Sequence, residues 1–475
     1  MRGRTALRKR RRNALSLIAP YASRRLLRLL RLTGSCRVDS VLSFRQGMER
    51  RVKRRSKRRT SRPETHVDLI VRNARLADRS SGELIDIGVE QGRIVALEHA
   101  LAGEAQVYDA KGCLACPGLI ETHIHLDKSR IIDRCAPQER KTLSPVKGVS
   151  PLKQSMSVED VHARAERTLQ DCIKHGTTRM RTQVEVDPAI GMRGFEGVQS
   201  LIANYKWAID IEICVFPQEG LTNYPGTDEL LVEGLKRGAT VVGGAPRYDT
   251  DQTGQIRRIF ELAREFDVDI DIHLDVGPTA DAMNIHLVRE LTEQFKRGGR
   301  VVVGHMAKLS LLPPEQVAAL ARSLANTGIG VTVLPTTDLF LMGRDRDHAV
   351  VRGVADANLL CEHGVNCSLS SNNILNPATP YGDCSLIRMA NLYANVLQVD
   401  RPERLRECFG MLTDRSARLL NLTDYGLAVG RPADIVILNA ESPEQAIAEI
   451  AQPLAVFKHG RQTVVWNPPQ LLRPR

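Results

Sequence analysis

No stretch of this sequence reaches the roughly 18–20 consecutive apolar residues of a membrane-crossing helix, and none forms the clean apolar centre of a secretory signal. That leaves no candidate transmembrane segment. The ten cysteines (Cys36, Cys113, Cys116, Cys135, Cys172, Cys214, Cys361, Cys367, Cys384 and Cys408) lack the spacing of a disulfide framework. They read as free thiols in a reducing compartment, consistent with a cytoplasmic protein. Cys113 and Cys116 make a C-x-x-C, but it precedes an apolar strand instead of opening a helix after one, so a redox or zinc-knuckle role is disfavoured. No glycine-rich phosphate loop follows the first long strand, which argues against an open, doubly wound nucleotide-binding sheet.

Acidic residues are nearly absent from the first 64 positions, which hold 22 Lys/Arg against 3 Asp/Glu. The whole chain of 475 residues carries a formal charge of +12, so the remaining 45 basic and 52 acidic residues form a mildly acidic body. The basicity therefore belongs to a leader, and the body itself offers no nucleic-acid surface. Three readings of residues 1–65 stay open. The run from Leu26 to Leu32, leucines broken by arginine, resembles a transit peptide or a membrane-surface helix. The cluster from Arg50 to Arg59 suits nucleic acid or anionic lipid. The plainest account is a disordered extension or an early-called start, with Met48 an alternative first residue; organellar targeting is not excluded by any of them.

From Val67 the composition becomes that of a globular protein, and 475 residues suffice for a barrel with an appended small domain. Short alternating strands (VDLIVRNARLAD, ELIDIGVEQGRIVAL) open the body, and a like pattern returns after Ala433. Between them, eight apolar segments alternate with polar helical ones. The strands are LACPGLIETHIHL, Thr177 to Val186, Ile211 to Pro217, Ala239 to Pro246, Asp269 to Val276, Arg300 to Ala307, Ile329 to Thr336 and Val365 to Asn373. Strands apolar on both faces and joined by helices predict a parallel sheet covered on both sides. Eight units in about 310 residues is the size of a (β/α)8 barrel. The expected fold is thus α/β: a TIM-like barrel over 117–424, with a small β-sandwich formed by the flanks 66–116 and 425–475.

In such a barrel the chemistry belongs at the C-terminal ends of the strands. Polar clusters fall there: His123 and His125 on the first strand, Gln183 and Glu185 on the second, and Gln218-Glu219 after the third. His273 and Asp275 lie on the fifth, His305 on the sixth, and Asn372-Asn373 after the eighth. Residues i and i+2 of a strand share a face, so His123 and His125 can offer two neutral imidazoles to one divalent ion. By the same spacing Asp275 shares a face with His273.

Taken together these segments resemble the amidohydrolase superfamily, and within it the group of bacterial-type cytosine deaminases and N-isopropylammelide hydrolases. The resemblance covers about Val67 to Val465. It rests on HIHLD (His123 to Asp127), FPQEG (Phe216 to Gly220), HLD (His273 to Asp275) and GH (Gly304-His305), supported by NPATPYG, LNLTDYGLAVGRPADIVIL and FKHGR. It implies one divalent metal ion held by His123, His125 and His273, with zinc and iron both suited to imidazole. It also implies that His305 contacts the metal's water or the leaving group, and that Gln218 reads the polar edge of a ring. Three departures stand out. Val276 replaces a proton-shuttling Glu, Asn372 replaces the metal-binding Asp that serves as general base, and Ala378 falls near a ring-covering Trp. Gln183 in turn aligns with a family histidine. The Asp127-Lys128-Ser129 run matches the N-isopropylammelide hydrolase side of the group.

Asn372 can give a metal a neutral oxygen but cannot take a proton, so His305 or Asp275 is expected to carry proton transfer, unless Asp275 only orients an imidazole. Lys128 is expected at the substrate, beside Gln218, with a simple ion pair as the alternative. The chain is thus expected to hydrolyse a non-peptide C–N bond of a small, heterocyclic substrate: deamination first, release of an N-alkylamine or opening of a cyclic amide second. A catalytically silent scaffold on the same fold is the rival. The expected partners are a small molecule and further copies of the chain in a homo-oligomer.

Overall fold

The computed structural model describes residues 67–79, 82–138 and 144–473. The leader expected over 1–65 lies outside them.

Sixteen strands are found among the described residues, and they divide between two sheets. The first five are β1 (Leu69–Leu76), β2 (Leu84–Glu90), β3 (Arg93–Glu98), β4 (Gln106–Asp109) and β5 (Leu114–Pro117). The last three are β14 (Ile435–Leu438), β15 (Pro453–Lys458) and β16 (Arg461–Val465). These eight form a single sheet in the order β16-β15-β14-β5-β1-β2-β3, with β4 pairing β1. The two ends of the sequence meet where β5 runs antiparallel to β14, Pro117 opposite Ile435. Val71, Ile87, Ile435 and Phe457 from both ends share one buried apolar cluster.

The strands between them are β6 (Leu119–Ile124), β7 (Thr177–Glu185), β8 (Asp210–Phe216), β9 (Val241–Gly244), β10 (Asp269–Leu274), β11 (Val301–His305), β12 (Ile329–Val333) and β13 (Cys367–Leu369). They lie in chain order and pair parallel throughout. Helices occupy the intervals as the polar segments predict. Val158–Lys174 starts at Ser157, whose side chain accepts from the Asp160 amide, and Pro314–Thr327 ends at Gly328 with φ +72°. Eight parallel strands with crossover helices make the barrel. It closes through a bridge from Ile124 to Asn372, with the Asn372 amide donating to His123 O (2.9 Å) and the His125 amide to Asn372 O (2.9 Å). Between Ile124 and the short β13 side chains complete the seam. Both carboxylate oxygens of Glu121 accept from the Ser371 amide, and Ser370 Oγ accepts from the Thr122 amide.

One expectation needs correction. LACPGLIETHIHL is not a single strand, because it breaks at Gly118, leaving β5 in the flanking sheet and β6 in the barrel. The Gly118 amide donates to Asp434 O at 3.0 Å, and a Cβ there would lie 1.9 Å from Thr178 Oγ1. Only glycine lets the chain pass this close to β7 as it changes sheets.

Candidate metal centre and its cavity

At the end of β6, whose register shifts between Glu121 and Ile124, Glu121, His123 and His125 are all buried. On β10, Asp271 and His273 lie two residues apart on the same strand. The His273 Nε2 lies 3.1 Å from His123 Nε2 and 3.2 Å from His125 Nε2. His273 Nδ1 donates to Gly244 O at 3.2 Å, which turns the Nε2 lone pair inward. The Nδ1 of His123 faces Asp271 Oδ1 at 3.4 Å and the Gln183 side-chain amide at 3.3 Å. Burial holds all three imidazoles below their ordinary pKa, so they are neutral near pH 7. Asp271 partly offsets this for His123, whereas the neighbouring charges of Lys128 and of the other histidines push His125 and His273 further down.

Three neutral nitrogens thus converge with no proton available to satisfy all of them. A metal bonded to each at about 2.0–2.1 Å would separate them by about 3.3 Å in a tetrahedral site, close to the spacing found. The side chain of Asn372, φ +60°, borders the same cavity, and both its oxygen and its nitrogen are buried without a hydrogen-bond partner. Such orphaned polar atoms beside three lone pairs fit a divalent cation with nitrogen and neutral oxygen ligands.

His305 closes β11 in a left-handed conformation (φ +74°), and Met306 continues it (φ +54°). Its Nδ1 lies 2.6 Å from Asp338 Oδ1, a fully buried carboxylate in the short helix after β12. The glycine of the GH motif has a packing reason, since a Cβ on Gly304 would sit 3.1 Å from His123 Cε1.

The two residues expected at the substrate meet. Lys128 Nζ donates to Gln218 Oε1 at 2.8 Å, lies 3.7 Å from Glu185 Oε2 and stands 5.2 Å above the Phe216 ring. That ring stacks on His273, centroids 4.6 Å apart. Lys128 and Gln218 line one cavity together with His125, His273, His305 and Asn372. Its lining also includes the apolar residues Val146, Val149, Val276, Leu341 and Ala378.

Asp275 does not fulfil the i, i+2 expectation. The strand ends at Leu274, Asp275 turns left-handed (φ +53°), and its two carboxylate oxygens accept from the Asn284 and Ile285 amides at 2.9 and 3.1 Å. It holds the start of the helix Ile285–Gln294, and no imidazole lies among its partners. The alternation rule fails because it applies only while the backbone stays extended.

Several residues escaped the sequence. Asp338 and Asp271 stand behind the histidines; the only signal for Asp338 was an isolated acid within an apolar run, whereas Asp271 alternates with Asp269 along its strand. Glu121, pushed up to about 7 by burial, braces the barrel seam. Asp187, which the sequence did not single out, joins Glu185 and Glu219, which it did, and the three bring carboxylate oxygens within 4.8 Å of one another, a grouping that could also hold a cation. Here the buried Lys153 fills it, 3.1 Å from Glu185 and 2.5 Å from Asp187, and paired with Glu219.

The amidohydrolase family model matches residues 146–464. The N-isopropylammelide isopropyl amidohydrolase of a Pseudomonas species is 29% identical over 412 residues, covering 83% of this chain and 96% of its own. The pterin deaminase of Rhizobium rhizogenes is 24% identical over 382 residues, covering 79% and 87%. Among solved structures, 5-methylcytosine deaminase from Klebsiella pneumoniae, liganded with 5-fluorocytosine, superposes with a TM-score of 0.81 at 28% identity, covering 85% of this chain and 99% of that one. N-isopropylammelide isopropylaminohydrolase from Burkholderia multivorans gives 0.72 at 26% identity, covering 83% and 97%.

Proposed function

This chain belongs to the amidohydrolase family, whose members hydrolyse non-peptide C–N bonds, and on that footing we propose that it uses one divalent metal ion, zinc or iron, to remove an exocyclic amine from a small heterocycle. The observation that carries the reading is the convergence of the His123 and His125 nitrogens on that of His273, at 3.1 and 3.2 Å, beside a cavity lined by polar and apolar residues. These three histidines hold the metal, with Asn372 as a neutral oxygen ligand. When bound, the ion supplies Lewis acidity, lowering the pKa of water and polarising the carbon under attack. Gln218 and Lys128 bind the polar edge of the ring.

His305 moves the proton, taking it from the attacking water and returning it to the leaving nitrogen, a contribution of about 10²–10⁴-fold in rate. Elimination favours it. Asn372 and Val276 cannot accept a proton, Glu185 is shared between Lys128 and Lys153, and Asp275 is tied to two helix amides. Asp275 therefore serves the site by fixing the loop after β10 and not as its base.

A second reading, release of an alkylamine instead of ammonia, is favoured by the apolar wall of Val146, Val149, Val276, Leu341 and Ala378. Such a wall desolvates an alkyl substituent and offers ammonia nothing. The names of the N-isopropylammelide hydrolases among the relatives lean the same way. In this reading the flanks 66–116 and 425–475 form the small sandwich beside the barrel 117–424.

Metal analysis of the purified protein, followed by amine release from paired amino- and N-alkylamino-heterocycles, tests the proposal. Ammonia from the first set supports deamination, and alkylamine from the second supports the alternative. Protein that binds neither zinc nor iron and turns over nothing would return the chain to the scaffold reading.

A further inference from the structure

Asn372 stands in the cavity where the resemblance drawn from the sequence implies a carboxylate, and a buried carboxylate, Asp338, stands behind His305. We propose that Asp338 is a positioning residue that fixes the tautomer and ring orientation of His305, so that a reoriented histidine does the work for which Asn372 is unsuited. This rests on the reading of His305 as the proton carrier.

Three observations support it. Asp338 Oδ1 lies 2.6 Å from His305 Nδ1, and its other oxygen is buried with no partner, so the imidazole is the main recipient of this carboxylate's charge. A carboxylate can only accept, so Nδ1 carries the hydrogen and Nε2 keeps its lone pair. Second, His305 and Met306 are successive non-glycine residues with positive φ, a conformation disfavoured for L-residues that persists only when neighbours enforce it. The enforcing contacts are Met306 N to Leu274 O at 3.1 Å and Lys308 N to Asp275 O at 2.9 Å. Asp275, held in turn by the helix that follows it, thereby helps to aim His305. Third, Asp338 arrives on a separate element, the helix Pro335–Leu341, and its amide is bonded to Leu334 O at 3.0 Å, so its place does not depend on His305.

Asp338→Asn is the discriminating variant. Its amide can turn a donor towards Nδ1 and stabilise the wrong tautomer while keeping size and shape, as the amide replacement does in the Ser-His-Asp triad. The expected result is a fall in kcat of about 10²–10⁴-fold with KM within threefold, unchanged metal content and a melting temperature near the parent's. In a His305→Ala background the same change should add almost nothing, because the two residues act as one unit. Asp338→Glu, which restores an acceptor, should recover part of the rate. Nitrogen-15 NMR of the zinc-loaded protein should show a low-field Nδ1–H signal that disappears in both His305→Ala and Asp338→Asn.

An equal loss of kcat with and without His305 would overturn the proposal, as would an Nδ1–H signal that survives Asp338→Asn. The NMR arm needs no substrate. A silent activity assay with the signal present would count against the proposed reaction and leave the pair standing, whereas an active parent without the signal would count against the pair alone.

Discussion

Replacing Lys153 by alanine should expose how the mouth of the cavity is held. Lys153 is 1% exposed and lies between Glu185, Asp187 and Glu219, which come from the ends of β7 and β8. Burial alone would favour the neutral amine, but the three carboxylates outweigh it and hold the lysine charged. Residues 144–155 also bring Pro145, Val146 and Val149 to the cavity, and Ser150 Oγ donates to Glu219 at 2.6 Å. Removing the ammonium leaves Asp187 and Glu219 without their partner and Glu185 with only Lys128, at 3.7 Å, and breaking a buried ion pair from one side costs about 3–5 kcal/mol. A body of about 400 residues unfolds with an entropy of about 0.85 kcal/mol/K, so the melting temperature should fall by about 4–6 °C. The sign with pH follows from proton binding. Without Lys153 the crowded carboxylates titrate higher in the folded chain than in the unfolded one, so folding takes up protons and stability falls as pH rises. The loss should therefore be larger at pH 8 than at pH 5, and millimolar calcium, which favours clustered carboxylates, should restore part of it. Thermal melts at both pH values, with and without calcium, read all three effects. A shift below 1 °C, or one identical at the two pH values, would refute this account of the cluster.

His273→Ala should leave well under half of the metal of the parent by elemental analysis, because two imidazoles and an amide do not make a closed set; full retention would mean the metal sits elsewhere. Asn372→Asp should slow metal loss to a chelator, since a carboxylate replaces a neutral oxygen. If the variant also gains deamination of heterocycles that the parent ignores, the natural chain is a retired hydrolase, whereas a drop in the parent's own activity supports a site shaped around the amide. Gly118→Ala should cost several kcal/mol and depress soluble yield, because its Cβ would meet Thr178 Oγ1 at 1.9 Å; a melt within 2 °C of the parent would show that β7 yields easily.

The sequence determined the barrel and the placing of its histidines at strand ends because both are written in local periodicity. Eight apolar runs separated by polar helical segments leave few topologies, and those segments form helices such as Pro314–Thr327. The i, i+2 spacing of His123 and His125 was legible at the end of the first barrel strand. What it left unresolved lies where the backbone departs from regular geometry or where distant segments meet. Asp275 looked like a partner of His273 until a left-handed residue turned it towards a helix 9 and 10 residues further along. Gly118 splits an apolar run that reads as one strand. Asp338 stands 33 residues from His305, and Lys153 between 32 and 66 residues from the carboxylates it joins. Such pairings carry no period, because they depend on which loops the closed barrel brings to one mouth. The sequence supplied the three histidines that converge, and only the tertiary structure decided which carboxylate stands behind His305.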